Sequence, residues 1–329
     1  MTANLQNPIF TDETKAREAL EAVLWPDGPV CPHCGNVDQA TIAKIEGKKK
    51  SHRPGLHYCN ACKGQFTVTV GTVYERSKIP LSKWWLATHL LSSSKKGMSA
   101  HQLWRMLGFG SYRTAWFMCH RIREAMKDTN AGPIGGEGKI VEADETYIGR
   151  TSTPRVSKQR EKGKRPYIKR KGPQSKNPVV ALVERGGEVR MFHVENATAA
   201  EVRDVLVRNV DRASALHTDE SKLYTETGKE FADHRTVRHS AKEYVRYEAD
   251  AIVHSNTVEN VFSVFKRGMT GVYQHCSEAH LHRYLSEFEF RHNRRSALGF
   301  TDAQRAEEAM QGIAGKRLTY RRTGEARNA

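Results

Sequence analysis

Two Cys-x-x-Cys pairs, Cys31 with Cys34 and Cys59 with Cys62, restrict this chain more than any other feature in it. The spacing turns the two thiolates of a pair toward a single point. Two such knuckles offer four sulfurs in a tetrahedron, which suits one structural Zn²⁺ at Zn–S distances of about 2.3 Å. Gly35 and Gly64 follow the pairs closely and are read as the residues that permit the tight turns. Between the pairs lie a short strand and a basic loop with Lys48, Lys49, Lys50, His52 and Arg53; after them "QFTVTVGTVY" alternates like a strand. The expectation is a zinc ribbon over residues 25–74, behind an N-terminal helical arm over residues 1–24. A redox pair is the rival, and His33, His52 and His57 stand close enough to substitute for a cysteine. Cys119 and Cys276 are isolated and read as small packed apolar residues.

Residues 75–130 read as helical. "LSKWWLATHLLSSSKKG" has the pattern of an amphipathic helix ended by Gly97. Ser99 and Ser111 are N-cap candidates for two further helices separated by a glycine-containing turn. Such a pair is a helix-turn-helix candidate that presents Tyr112, Arg113 and Thr114 at the N-terminal end of its second helix, where base edges are read. Any three-helix bundle has the same pattern. Trp84, Trp85, Trp104 and Trp116 are read as core. "AGPIGGEG", residues 131–138, reads as a linker.

Residues 139–296 change character. "KIVEADETYIG" is a strand holding Asp144, and a hairpin follows with its turn at Gly186 and Gly187. Then come a helix, a short strand ending in Asp219, a short helix, another strand and a helix over "HSNTVENVFSVFKRG". That order is the order of a ribonuclease-H-like fold, an α/β mixed sheet with helices on both faces. In that layout the first and fourth strands are neighbours, so Asp144 and Asp219 approach each other, and Glu259 on the last of these helices reaches the same point. Three carboxylates that converge need cations, and carboxylate oxygens suit two Mg²⁺ or Mn²⁺ ions. Such a pair activates a water and stabilises the leaving oxygen of a phosphodiester. Lys266, seven residues after Glu259, lies on the same flank of its helix and can hold a phosphate there. Glu142 shares the face of Asp144 and is the best substitute ligand; Glu145 and Glu220 are candidates for the outer sphere, and Asn256 for a supporting amide.

Charge narrows the partner. Lys and Arg number 53 against 37 Asp and Glu, a formal net charge of +16. The excess favours a polyanion, with nucleic acid first. Residues 150–176 alone carry eleven Lys or Arg and one acid. That insertion cannot bury a core and reads as an arm for DNA phosphates. The segment from His280 reads as a helix with Arg291, Arg294 and Arg295 turned to DNA, and residues 297–329 as a basic C-terminal tail. The N-terminus has no basic n-region followed by an apolar stretch, and no apolar run approaches the roughly 20 residues of a bilayer span. The expected location is cytoplasmic and nucleoid-associated, with no membrane partner.

The stretches "CPHCG", "YCNACKGQFTVTVGTVYERSKIPLSKWW", "SSSKKGMSAHQLWRMLG", "ADETYIG", "HTDES" and "HSNTVENVFSVFKRGMTGVYQH" together resemble the bacterial zinc-ribbon insertion-sequence transposases with an Asp-Asp-Glu triad. The resemblance spans most of residues 25–296. It implies that Asp144, Asp219 and Glu259 are the triad and that Lys266 is the family's downstream lysine. Some relatives carry Asn as the third ligand; here Glu259 is flanked by Asn256 and Asn260. The resemblance further implies binding to double-stranded DNA at the terminal inverted repeats, strand hydrolysis at the element ends and joining of the 3′-hydroxyl to target DNA, by a dimer or higher assembly. Two rivals share the sequence features: a catalytically silent DNA-binding regulator and a structure-selective nuclease. Mg²⁺-dependent cleavage excludes the first, and transfer of labelled end DNA into a plasmid excludes the second.

Overall fold

The structure, a computed structural model, describes residues 5–45, 52–129, 131–151, 175–249 and 251–319. The chain divides into two compact units: residues 1–127 together with 294–329, and residues 128–293.

The first unit opens with helix α1 (Glu13–Leu24), begun by Asp12, whose carboxylate accepts from the N–H groups of Thr14 and Lys15 at 2.7 and 3.0 Å. Strands β1 (Ile42–Lys44), β2 (His57–Cys59) and β3 (Gly64–Phe66) form a small antiparallel sheet in that order. The strand expected beyond Phe66 does not form. Thr72 Oγ1 donates to the Thr69 carbonyl at 2.7 Å, and Gly71 has φ +74°, so the chain coils there instead of extending. Helix α2 (Leu81–Ser93) has no side-chain cap of its own; Glu13 accepts from the N–H groups of Leu81 and Ser82 at 2.9 and 3.1 Å. Trp85 Nε1 donates to the Ala16 carbonyl at 2.9 Å. The expected N-terminal arm is therefore docked on α2. Helix α2 is not amphipathic: it buries Trp84, Trp85, Thr88, His89, Leu91 and Ser92 around most of its girth, as a central helix must. Helices α3 (Ala100–Leu107) and α4 (Tyr112–Met126) follow, capped by Ser99 and Ser111 and joined at Gly108 in the left-handed region.

In the second unit, β4 (Ile140–Ile148) pairs antiparallel with β5 (Asn177–Glu184), and β5 with β6 (Val189–His193). Helix α5 (Ala199–Asn209) leads to β7 (Ala215–Asp219), which lies parallel to β4. Helix α6 (Thr225–Gly228) leads to β8 (Asp233–Val237), parallel to β7. The sheet order β6-β5-β4-β7-β8 is the expected ribonuclease-H-like one. A small hairpin of β9 (Val245–Tyr247) and β10 (Ile252–His254) then precedes α7 (Asn256–Gly268) and α8 (Glu278–Asn293). The hairpin's strands are three residues each, too short to leave an alternation signal in the sequence. The strands are apolar on both sides because both sheet faces are covered. Val179, Ala181 and Val183 meet Val258, Phe262 and Phe265 of α7 and Leu281 and Leu285 of α8; Val180 and Leu182 meet Val202 and Leu206 of α5.

The expected linker is part of this second unit. Ile134 is buried and bridges Val210, and Gly136 N–H donates to Ser214 Oγ at 2.8 Å. Gly135, at φ +90°, leaves no room for a Cβ, which would stand 2.1 Å from Ser214 Oγ. The expected outward cation Arg291 is buried, paired with Glu287 and stacked over Phe288. Side chains of α8 also close the edge strand β6: Asn293 exchanges two hydrogen bonds with the Val189 backbone at 2.8 and 3.0 Å, and Glu289 accepts from Met191 N–H.

Residues 297–319 of the expected C-terminal tail fold onto the first unit. Helix α9 (Asp302–Gln311) starts in a capping box of Thr301 and Gln304, and Arg294 pairs with Glu308. Met310 accepts from Tyr74 Oη, and Val73 N–H donates to the Ile313 carbonyl at 3.1 Å, so this segment completes the core of the first unit. Its alanines, at Ala306 and Ala309, made the helix weakly apolar in sequence. Residues 152–174, nearly the whole basic insertion, and residues 320–329 lie outside the described residues, as do Lys48, Lys49 and Lys50. No helix among the described residues is long and apolar enough to cross a membrane.

Candidate active site and metal centre

Cys31, Cys34, Cys59 and Cys62 bring their sulfurs within 4.8 Å of one another, the one such group of metal-binding side chains among the described residues. Cys59 ends β2 and Cys62 lies in the turn to β3. Hydrogen bonds from the Cys62 backbone, Asn36 and the Ala61 backbone pull the Cys59 thiol down to about 6. Desolvation pushes the Cys62 thiol up, and the convergence of four sulfurs itself is what fits a structural zinc ribbon. Gly35 takes φ +72° as expected. Gly64 does not; Lys63 takes the positive φ, and a Cβ at Gly64 would be a tight fit, 3.0 Å from His33 Cδ2 and 3.2 Å from Cys62 Sγ. His33 and His57 are not in the cluster. His33 Nε2 lies 3.2 Å from the Gln65 carbonyl, and His57 is packed against Phe66 and Trp25.

The acids gather at one end of the second unit's sheet. The parallel ladder between β4 and β7 pairs Glu142 with His217. Asp144, in the middle of β4, and Asp219, at the end of β7, are each two residues further on, so continuing that register puts them level and on the same sheet face. Burial, followed by the charges of Glu145, Asp219 and Glu259, pushes the Asp144 carboxyl up to about 7, against one stabilising bond from Glu145 N–H at 2.7 Å. Burial also raises Glu145, whose carboxylate accepts from the buried Tyr224 hydroxyl at 2.8 Å. The donor oxygens of the three acids are not drawn to within 4.8 Å of one another as the cysteines are. Glu259 sits one turn into α7, about half exposed, with His239 Nε2 at 3.2 Å and Ser255 Oγ at 3.4 Å. Lys266, two turns on, is exposed and lies along the Phe262 ring.

The neighbouring acids divide by role. Glu142, the expected substitute ligand, is fully buried with both oxygens occupied: one by Arg185 at 2.6 Å, the other by the N–H groups of Thr257 and Val258 at 2.8 and 3.1 Å. Glu220 turns away to Ser240, accepting from its N–H and its hydroxyl. Asn256 and Asn260 are exposed. Arg185, His217, His239 and His254 carry no sequence signal of their own and enter the site through tertiary contacts alone.

In the first unit a groove of about 300 Å³ runs beside the N-terminal end of α4 and is lined by Arg76, Lys78, Arg113, Thr114, Phe117 and Arg121. Arg121 lies 4.8 Å over the Phe117 ring. The concentration of guanidinium and ammonium groups beside a helix start suits phosphate.

Fold and site define a class: a ribonuclease-H-like sheet domain, acidic at its strand ends, joined to a four-cysteine ribbon. Within that class the chain belongs to the zinc-ribbon insertion-sequence transposases, for residues 135–293 match the ISXO2-like transposase domain and residues 11–65 the transposase zinc-ribbon domain. A curated relative, the uncharacterized protein in transposable element ISH50 of Halobacterium salinarum, is 28% identical over 287 residues, covering 86% of this chain and 91% of that protein. Among solved structures, a chain of the simian T-cell lymphotropic virus intasome in complex with PP2A regulatory subunit B56 gamma aligns over 63% of this chain and 70% of its own, at 13% identity and a TM-score of 0.31, too low to carry an argument.

Proposed function

We propose that the transposase cuts and joins DNA with Asp144, Asp219 and Glu259, and that the observation carrying this is the crowding of the buried Asp144 carboxyl by Glu145, Asp219 and Glu259. Burial and three other acids push that carboxyl up to about 7, as expected of a site that bound cations would relieve. Hard carboxylate oxygens of this kind fit Mg²⁺ or Mn²⁺. Two such ions, bound by these acids, would supply an activated water or 3′-hydroxyl and stabilise the leaving oxygen of the phosphodiester. The protein's own part is placement. The β4–β7 register holds two acids level, α7 delivers the third, and the exposed Lys266 on the same helix steadies a phosphate of the strand being cut. Tyr224 fixes Glu145 beside the pair.

Double-stranded DNA is the partner this site requires, both as element ends and as target. Exposed Tyr112 and Arg113 at the start of α4 and the groove with Arg76, Lys78 and Arg121 support end binding by the first unit. Two ends must be cut and held together, so the working form is a dimer or higher on DNA, in the cytoplasm and associated with the nucleoid. The test is cleavage of labelled end DNA by the purified full-length protein with Mg²⁺, followed by transfer into a plasmid. Asp144→Asn and Asp219→Asn should each abolish both steps and leave end binding intact. Cleavage that survives either change sinks the assignment.

A further inference from the structure

Helix α7 carries Glu259 but makes no N-cap of its own, since the Ser255 side chain does not reach the first-turn N–H groups. The cap comes from β4, 115 residues earlier: Glu142 accepts from Thr257 N–H at 2.8 Å, from the Thr257 hydroxyl at 2.9 Å and from Val258 N–H at 3.1 Å. Glu142 is two residues before Asp144. Its ladder partner, His217, is two residues before Asp219. Arg185, at the end of β5, ties these positions together. Its Nε donates to Glu142 at 2.6 Å, its Nη2 to His217 Nδ1 at 3.1 Å and to the His254 carbonyl at 2.9 Å, and its Nη1 to the Ile252 carbonyl at 2.7 Å. One step behind the three acids, then, lies a hydrogen-bonded knot with a member from each element that bears one.

We infer that Glu142 and Arg185 are positioning residues: they set the first turn of α7, and with it Glu259, against the strands that hold Asp144 and Asp219. A buried ion pair is a poor way to gain stability, because an apolar pair of the same volume does as well or better. Its use lies in direction. A carboxylate at a helix N-terminus is favoured by the helix dipole and by the otherwise unpaired N–H groups, and it fixes both the rotation and the advance of the helix. Glu259 lies in the same turn, one and two residues beyond those N–H groups, so a slip of α7 moves it directly.

Glu142 can act in this way only if Asp144, Asp219 and Glu259 form the reacting centre, as proposed above. The experiment compares wild type, Glu142→Gln, Glu142→Ala and Arg185→Lys in the full-length protein by amide hydrogen exchange at Thr257 and Val258, by end-DNA affinity and by the single-turnover cleavage rate. The expected result for Glu142→Ala is faster exchange at both amides, unchanged affinity and a cleavage rate lower by about 100-fold, the cost of a misplacement on the order of 1 Å. Glu142→Gln and Arg185→Lys should fall between it and wild type. If Glu142→Ala does not fold, Glu142→Gln carries the same comparison. Faster exchange with a wild-type cleavage rate overturns the inference while leaving the triad untouched. Slower cleavage without any change in exchange also overturns it, because Glu142 would then act elsewhere. Cleavage retained in Asp144→Asn marks the failure of the triad itself, and the inference falls with it.

Discussion

Asp144 has a carboxyl near 7 in the folded chain, against an ordinary value of 3.8. Between those values the folded protein keeps a proton that the unfolded chain has lost. The stability that Asp144 contributes must therefore fall as pH rises through that interval, the reverse of a salt-bridged carboxylate. In chelator, the melting temperature of the wild type should decline from about pH 4 to about pH 7 more than that of Asp144→Asn, a window set by the two values just cited. Parallel curves for the two proteins would show that Asp144 is not crowded. Gly312 offers a second test at this scale. A Cβ there would stand 2.2 Å from the Ala125 carbonyl oxygen, a backbone atom that cannot rotate aside. Gly312→Ala should cost about 1–3 kcal/mol in a denaturant titration, as overpacking does; a neutral change would mean that the end of α4 yields easily.

Among elements, the ribbon depends most on something beyond its own sequence. Strands β1, β2 and β3 are three residues each, and its core is Cys31, Ile42, Cys59 and Phe66 with Trp25 and Val70. So small a core needs a metal to hold it. Cys59→Ser should release zinc, measurable as metal per mole of protein, and raise hydrogen exchange across residues 31–66 while the five-stranded sheet stays protected. Unchanged zinc content would refute the four-cysteine site. The same dependence on distant partners explains why cap readings from sequence succeeded for some helices only. Ser99 and Ser111, both expected as N-caps, cap their own helices and are visible as local patterns. Glu13 and Glu142 cap helices that begin 68 and 114 residues later, and nothing in their neighbourhoods announces it.

For the whole molecule, the chain leaves the first unit, builds the second from one continuous stretch and then supplies α9 back to the first. A protein ending at Gly299 lacks α9 and Ile313, so the first unit should melt at lower temperature while the second keeps its transition, as calorimetry can read. A single unshifted transition for the first unit would mean that α9 contributes nothing to its core. The charge distribution leads to a separate expectation. If residues 152–174 reach about six phosphates, the logarithm of DNA affinity should fall against the logarithm of salt with a slope near −5, and deletion of the segment should flatten it. An equal slope without the segment would assign the salt dependence to the groove beside α4.

By itself the sequence determined whatever is encoded within a few residues. It set the paired cysteines, the alternation of sheet strands and helices, and Asp144, Asp219 and Glu259 on three of those elements. These are readable because period, spacing and turn chemistry are local. Only the tertiary structure decided that Glu142 is a cap and no ligand, that Arg185 joins three elements, that Arg291 is buried and that the C-terminal segment is core. Those outcomes depend on strand register and on which distant surfaces exclude water together, and neither is written in the periodicity of any one segment.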